Sequence, residues 1–189
     1  IDRMVETLDL IRQHYGGEQI ELEGKYIQAS GFSGAPTTGA TPPIMIGGGS
    51  RRILGIAGRE ADIVSINFDN SAGKIGANGV ASGTNSGTHQ KIDWIRAGAG
   101  DRFDDLDIEI AAYFTVVTDH PEVVQEEFAK MFGLEASEIA NHPHCLIGPV
   151  EELIEKLQQR REEFGINYVT FSGAAIDDVS SIIGALAGT

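Results

Sequence analysis

The chain has 189 residues, and its 28 acidic residues against 14 Lys and Arg produce a formal net charge of −14. This length suits one domain with a sizeable core, and so acidic a surface excludes nucleic acid and anionic membranes as expected partners. A lone cysteine, Cys145, excludes an internal disulfide, and no signal peptide or transmembrane run is visible, so we expect a reducing, cytoplasmic location.

We interpret residues 1–15 as a helix. It is expected to end at the Gly16-Gly17 pair, because glycine commonly ends helices in the left-handed conformation. Since this periodicity starts at once and the first residue is not methionine, we expect a piece of a longer protein. Residues 20–28 alternate apolar and polar and predict a short hairpin. Residues 29–42, rich in Gly, Ser, Thr and Pro, predict a surface loop.

Residues 42–60 predict a strand that leads into a helix. Residues 44–46 form an apolar run bounded by proline and glycine, typical of a parallel strand buried on both faces. The three glycines at 47–49 can adopt positive φ and turn their amides the same way, and Ser50 is suited to cap the next helix. Free N–H groups at a helix N-terminus predict an anion site.

Two arginines follow this turn directly. Arg51 and Arg52 stand in the first helical turn, where a cation opposes the helix dipole by about 0.3–1 kcal/mol. Their position is easier to explain if an anion binds there. The alternative, a tight glycine turn with two solvated arginines, stays open.

Residues 62–67 predict a second strand, which ends at Asn67. About twenty residues with five glycines come next and predict a long loop, either a lid over a ligand or an insertion without a role.

The rest of the chain alternates strands and helices. Predicted helices cover residues 88–99, from Pro121, 135–141, from Pro149 to near Gly165, and 176–186, and predicted strands cover residues 108–117 and 167–171. Four strand–helix units after an initial helix indicate a parallel sheet with right-handed crossovers. An open doubly wound sheet and part of a (β/α)₈ barrel both fit. Because four strands alone would leave two unpaired edges, half of a barrel is favoured.

Several side chains are candidates for chemistry. His142 and His144 belong to residue types that bind metals, but Pro143 holds His142 extended and no second cluster completes a site, so we expect a connector and no metal site. His89 is interpreted as a solvated residue at a helix start, the alternative being that it faces a cofactor. Cys145 is expected to be a buried structural thiol, and Trp94 fits the core face of its helix.

Several stretches carry a resemblance to a known family. Leu8 to Tyr26, Pro42-Pro-Ile-Met-Ile-Gly-Gly-Gly, Ala57-Gly-Arg-Glu-Ala-Asp-Ile-Val, Leu146-Ile-Gly and Gly165-Ile-Asn-Tyr-Val resemble the C-terminal half of luciferase-like monooxygenases. Gly100-Asp-Arg-Phe and Gln158-Gln-Arg-Arg-Glu-Glu-Phe-Gly are similar to the actinobacterial subgroup of probable coenzyme F420-dependent oxidoreductases. The likeness runs in order along nearly the whole chain. Residues 1–189 are therefore interpreted as one α/β luciferase-like domain, the C-terminal half of a TIM barrel.

The resemblance implies a (β/α)₈ barrel whose strands five to eight come from this chain, with a flavin or deazaflavin at the carboxyl ends of the strands. It assigns contact with the cofactor phosphate to Gly47, Gly48, Gly49 and Ser50, together with Arg51. Asn67 is either a lining residue of this site or a polar cap of its strand. Strands one to four, which usually supply most groups near the reactive ring, are absent, so the catalytic residues stay unknown.

The function implied is hydride transfer between coenzyme F420 and an organic substrate. An FMN-dependent monooxygenase is the alternative in the same class, and a non-catalytic, vestigial flavin-binding half-barrel is the alternative outside it. The expected partners are a small-molecule substrate and either a second copy, in a homodimer, or the missing N-terminal half.

Overall fold

The computed structural model describes residues 1–17, 19–34, 42–70, 76–171 and 176–189. These residues form two compact units, Ile1–Ile44 and Met45–Thr189. In chain order the elements are α1 (Asp2–Gly16), β1 (Gln19–Glu23), β2 (Gln28–Ser33), β3 (Met45–Gly48), α2 (Arg51–Glu60), β4 (Ile63–Ile66), α3 (Ala77–Ala81), α4 (Asn85–Ala99), a 3₁₀ helix (Gly100–Asp105), β5 (Asp107–Ala112), β6 (Phe114–Val117), α5 (Pro121–Phe132), α6 (Ala136–Ala140), β7 (Cys145–Gly148), α7 (Val150–Phe164), β8 (Ile166–Phe171) and α8 (Ile176–Leu186).

The first unit consists of α1 and a β1–β2 hairpin. The helix ends as predicted, with Gly17 in the left-handed conformation at φ 74°. The Glu6 carboxylate on α1 accepts hydrogen bonds from the N–H groups of Lys25, Tyr26 and Ile27 at 2.7–3.0 Å, and so holds the hairpin turn. The hairpin is confirmed, but the predicted loop was wrong at its start, because residues 28–33 pair with β1 as a strand.

The second unit is built on a four-stranded parallel sheet with the order β3-β4-β5-β8. One face carries the buried core residues Ile46, Val64, Ile66, Ile108 and Ile110, and α2 packs on β3 and β4. Met45 points to the opposite face and is 45% exposed. The prediction that this strand is buried on both faces was therefore wrong, since side chains alternate along a strand and helices cover one face of β3 among the described residues. The strand also continues past Gly47 to Gly48.

The predicted strand over residues 108–117 is two strands. β5 ends at Ala112 and pairs with β4 and β8, whereas β6 pairs in parallel with β7 in a separate two-stranded sheet. Tyr113 lies at the break, where its N–H donates to Ala111 O at 3.0 Å. β7 was not predicted, because its four residues follow directly on the His-Pro-His sequence and are too short to show a period.

The predicted loop after Asn67 is partly helical in its described residues. α3 and the start of α4 occupy residues 77–81 and 85–87, and residues 71–75 lie outside the described residues. A Cβ on Gly83 would lie 2.8 Å from the Phe68 ring and 2.9 Å from His142. This glycine therefore permits close packing between neighbouring elements and is not a sign of a flexible loop. The predicted lid remains a prediction.

The remaining helices confirm the prediction. α5 begins at Pro121, α7 ends before Gly165 at φ 73°, and α8 covers residues 176–186. A core of Leu146, Leu153 and Val179 joins β7, α7 and α8. No helix in the described ranges is long and apolar enough to cross a membrane.

Candidate functional site

The carboxyl ends of three neighbouring strands meet at one edge of the sheet. Gly48, the last residue of β3, accepts a hydrogen bond from the Asn67 N–H at 2.9 Å. Tyr113 is the first residue after β5, and its hydroxyl donates to Asn67 Oδ1 at 3.1 Å. The glycine turn, Asn67 and Tyr113 are therefore adjacent at the edge where ligands bind in parallel α/β sheets.

The glycine turn has a different physical basis from the one predicted. None of Gly47, Gly48 and Gly49 has a positive φ. A Cβ on Gly48 would instead collide with the Ile53 side chain, and one on Gly49 would collide with the Phe68 carbonyl. Gly47 differs, because its Cβ would only contact Ser65 Cβ at 3.4 Å. Two of the glycines are thus required by close packing, and the third faces accessible space.

The α2 N-terminus keeps its first amides uncapped by a side chain. Ser50 is the N-cap residue, as predicted, with extended φ −103° and ψ 154°, but its side chain makes no capping hydrogen bond. The N–H groups of a first helical turn have no intrahelical acceptor. Together with the helix dipole, this arrangement favours a bound anion.

The two arginines lie along the outside of the same helix. Arg51 and Arg52 line a surface groove between α2 and α4, which they share with Trp94 and Gly98. Half-buried Trp94 borders this groove, so the prediction that it faces the core was wrong. The structure thus brings the predicted residues Gly47, Gly48, Gly49, Ser50 and Asn67 together, and places Arg51 at the rim of the adjoining groove.

Asn67 connects the neighbouring elements through both its backbone and its side chain. Besides the bonds to Gly48 and Tyr113, its Oδ1 accepts from the Phe68 N–H at 2.9 Å, and its carbonyl accepts from Lys91 Nζ at 2.7 Å. Asn67 is half-buried. It therefore occupies a fixed position between the glycine turn and Tyr113.

Lys91 is a site residue that the sequence analysis missed. It lies on α4 and is 2% exposed. Burial lowers the pKa of its ammonium to about 8, although the charge of Asp69 opposes the shift. Thr88, Lys91, Ile92 and Ile95 are all buried at helical spacing. A lysine on this apolar face was the available signal.

The two histidines are buried and act as a connector, as predicted. The Nε2–H of His142 donates to Val80 O at 2.9 Å, and the Nδ1–H of His144 donates to Ala111 O at 2.9 Å. Burial is the main cause that lowers the pKa of His142 to about 4 and that of His144 to about 3, so both rings are neutral. The other ring nitrogen of His144, Nε2, has no partner among the described residues.

A buried arginine holds the backbone of this connector. Arg160 on α7 donates to the carbonyls of His142 and Cys145 at 3.2 and 2.7 Å. Burial raises the pKa of the Cys145 thiol to about 12, even though Arg160 and Lys156 act in the opposite direction. Cys145 is therefore a structural thiol, as predicted. In the described part of the chain, no three His, Cys, Asp or Glu side chains are grouped to hold a metal ion.

His89 contacts another helix. Its Nε2 lies 2.8 Å from Glu163 Oε1, and its ring packs on Phe164 with centroids 4.7 Å apart. The side chain is 52% exposed. His89 thus bridges α4 and α7 at the surface, in agreement with the prediction of a solvated residue.

The parallel sheet, with a glycine turn, an uncapped helix N-terminus and polar side chains together at its carboxyl edge, defines the class of α/β proteins built from parallel strands joined by helices. Residues 1–146 match the family model of the luciferase-like monooxygenases. Because this match spans most of the chain, the chain belongs to the luciferase-like monooxygenase family. No curated protein sequence matches it.

Solved structures share the fold at low sequence identity. The coenzyme F420 dependent tetrahydromethanopterin reductase from Methanopyrus kandleri has a TM-score of 0.67 and 16% identity, over 98% of this chain and 62% of that one. An F420-dependent secondary alcohol dehydrogenase, solved with an F420-acetone adduct, has a TM-score of 0.65 and 14% identity, over 98% and 61%. A riboflavin lyase with modified FMN has a TM-score of 0.59 and 14% identity, over 89% and 48%.

The chain thus spans less than two thirds of these structures. The predicted fold class is confirmed, an α/β chain that forms part of a TIM barrel.

Proposed function

We propose that the protein containing this chain is an oxidoreductase that transfers hydride between coenzyme F420 and a small organic substrate. The observation that carries the proposal is the uncapped α2 N-terminus after a glycine turn, joined through Gly48 to Asn67 at the carboxyl edge of the sheet. Similar structures that use F420 support the choice of cofactor.

The residues at this edge fit the phosphate of such a cofactor. Gly47 is exposed, and a Cβ there would lie on the open face of β3, the face of Met45, next to Ser65. The amides of the turn and of the first turn of α2 supply donors, and Arg51 adds positive charge nearby. Gly47, Gly48, Gly49, Ser50 and Arg51 would therefore hold the phosphate, with Asn67 beside the rest of the cofactor. When bound, the deazaflavin supplies the hydride chemistry, and this chain binds and orients it.

An FMN-dependent monooxygenase is the second candidate. FMN also carries a phosphate and a planar ring of similar shape, and the similar riboflavin lyase structure contains modified FMN. A non-catalytic flavin-binding half-barrel is the third candidate, since Met45 on the open face of β3 is 45% exposed. In either enzyme, groups for acid–base chemistry would come from an N-terminal half or a second copy, which would also cover this face.

Binding experiments on the full natural polypeptide test the proposal. F420 and FMN are titrated against the wild type and against Gly47→Val, which adds a branched side chain on the open face of β3 at the start of the glycine turn. We expect the dissociation constant of the preferred cofactor to rise at least tenfold. Gly55→Ala is the matched control. Gly55 lies on α2, and its new Cβ would have Trp94 O as its nearest neighbour at 3.9 Å, so the substitution causes no steric clash. Absence of binding to both cofactors, or equal losses in both variants, would contradict the proposal.

A further inference from the structure

The orientation of the Asn67 side chain is determined by its neighbours. Oδ1 lies 2.9 Å from the Phe68 backbone nitrogen, which can only donate a hydrogen bond. A flipped side chain would place its NH₂ group against this N–H, donor against donor. Oδ1 therefore faces Phe68, and the NH₂ group points away from it.

The same contact determines the direction in which the Tyr113 hydroxyl donates its proton. Because Oδ1 of Asn67 has no hydrogen, the hydroxyl at 3.1 Å must be the donor. The Tyr113 oxygen consequently keeps its lone pairs free to accept a hydrogen bond. Tyr113 is 40% exposed, so a ligand at the edge of the sheet can reach it.

The Tyr113 ring is held in place by contacts with two buried rings. It stacks on the buried His144 ring, with centroids 5.5 Å apart and an interplanar angle of 17°, and it contacts the buried Phe68 ring at 5.4 Å. Both supporting rings are almost fully buried. The oxygen of Tyr113 thus has a defined position, which reduces the entropy lost when a ligand binds.

The NH₂ group of Asn67 is a second group that a ligand can reach. Within the described part of the chain it donates no hydrogen bond. Because the fully buried side-chain atoms without a partner there are on other residues, this NH₂ group is at least partly exposed to solvent. Asn67 Nδ2 offers a donor and Tyr113 Oη an acceptor, and both flank Asn67 Oδ1.

We propose that Asn67 and Tyr113 bind the cyclic amide edge of a planar heterocycle. The ligand carbonyl accepts a hydrogen bond from Asn67 Nδ2, and the adjacent ring N–H donates to Tyr113 Oη. This inference rests on the proposed function, since the pyrimidine rings of flavins and deazaflavins both carry such an edge. It assigns the ring-binding role to these two residues and the phosphate-binding role to the glycine turn next to them.

The test compares F420 and FMN with their derivatives methylated at the N–H of the pyrimidine edge (N3), using fluorescence titration of the full natural polypeptide. For the wild type, methylation should raise the dissociation constant at least tenfold. In Tyr113→Phe the acceptor is lost, so the unmethylated ligand should bind at least fivefold more weakly and methylation should change affinity less than threefold. Tyr15→Phe in the first unit is the matched control and should behave as the wild type.

Asn67→Asp supplies an independent variant. Its carboxylate still accepts from Phe68 and Tyr113 but presents an oxygen to the ligand carbonyl, so affinity should fall at least tenfold with the melting temperature nearly unchanged. Equal affinity for methylated and unmethylated ligands in the wild type would overturn this inference and leave the proposed function standing. Absence of binding to both F420 and FMN would overturn both.

Discussion

The ammonium of Lys91 lies 2.7 Å from the carbonyl oxygen of Asn67, at the point where β4 ends. The lysine is 2% exposed, so a desolvated cation fixes the backbone of the residue that joins the glycine turn to Tyr113. Such a charge is costly to bury without full compensation, which is why its pKa is lowered to about 8.

Lys91 should therefore titrate near pH 8, as measured by NMR of ¹³C-labelled lysine side chains, with Lys91→Met identifying the signal. Because the pKa of the folded state lies below the unfolded value of 10.5, the unfolded chain binds more protons between these values, and the free energy of unfolding should rise with pH there. Asp69→Asn should lower the pKa further, since the Asp69 charge raises it. A pKa near 10.5 would refute the burial of this lysine.

Gly49→Ala should destabilise the protein. Its Cβ collides with the backbone carbonyl of Phe68, which cannot rotate away, so we expect a loss of roughly 1–3 kcal/mol in the free energy of unfolding. Gly47→Ala is the control, with its nearest contact at an ordinary 3.4 Å, and should change stability by less than about 0.5 kcal/mol. Urea unfolding measures both, and equal losses would rule out the packing explanation.

Acid should destabilise the fold through His142 and His144. Both have folded pKa values below the ordinary 6.5, so the unfolded chain binds more protons as pH falls below 6.5, and stability present above this pH is lost progressively toward the folded values of about 4 and 3. Each histidine should contribute a slope of roughly 1.4 kcal/mol per pH unit in this window. The positive charges of Lys91 and Arg160 act in the same direction.

Urea unfolding between pH 7 and 4.5 measures this dependence. A His142→Gln, His144→Asn double variant should lose most of the slope of unfolding free energy against pH. Its stability at pH 7 should also fall, because the hydrogen bonds of the two rings to Val80 O and Ala111 O are altered. His89→Gln at the exposed position should keep the slope. An unchanged slope in the double variant would assign the acid sensitivity to other groups.

Arg102 should stabilise the end of α2. Its guanidinium donates to the carbonyls of Gly58, Arg59 and Ala61 at 2.8–2.9 Å. Arg102→Ala should cost roughly 2–3 kcal/mol, because charged hydrogen bonds are lost and carbonyls remain unpaired. Arg96→Ala, which removes a guanidinium stacked 3.9 Å from the Phe103 ring centroid, should cost less than about 1 kcal/mol. Thermal unfolding distinguishes them, and similar losses would argue against the capping role of Arg102.

Much of the fold was predictable because its signals are local. Gly17 and Gly165 end their helices in the left-handed conformation, and Pro121 begins one, each through the chemistry of a single residue. The loop after Asn67 was predicted wrongly for a related reason. Glycines were interpreted by their conformational freedom, whereas Gly83 is there because Phe68 and His142 leave no room for a side chain.

The candidate site was predictable only in part. The glycine turn and Asn67 stood out because they follow apolar strands directly, but the prediction that they bind a cofactor stays a prediction. Tyr113 was interpreted as the interior of a strand, since nothing in its neighbours marks the break between β5 and β6. Lys91 was passed over as an ordinary helix residue.

The sequence by itself determined most of the helices and strands, where many of them end, and the family to which the chain belongs, because these depend on residues a few positions apart and on patterns along the chain. Only the tertiary structure decided which side chains share the edge of the sheet. The Lys91 and Tyr113 contacts with Asn67 span 24 and 46 positions. Such contacts arise from the packing of elements on one another, which no local pattern encodes.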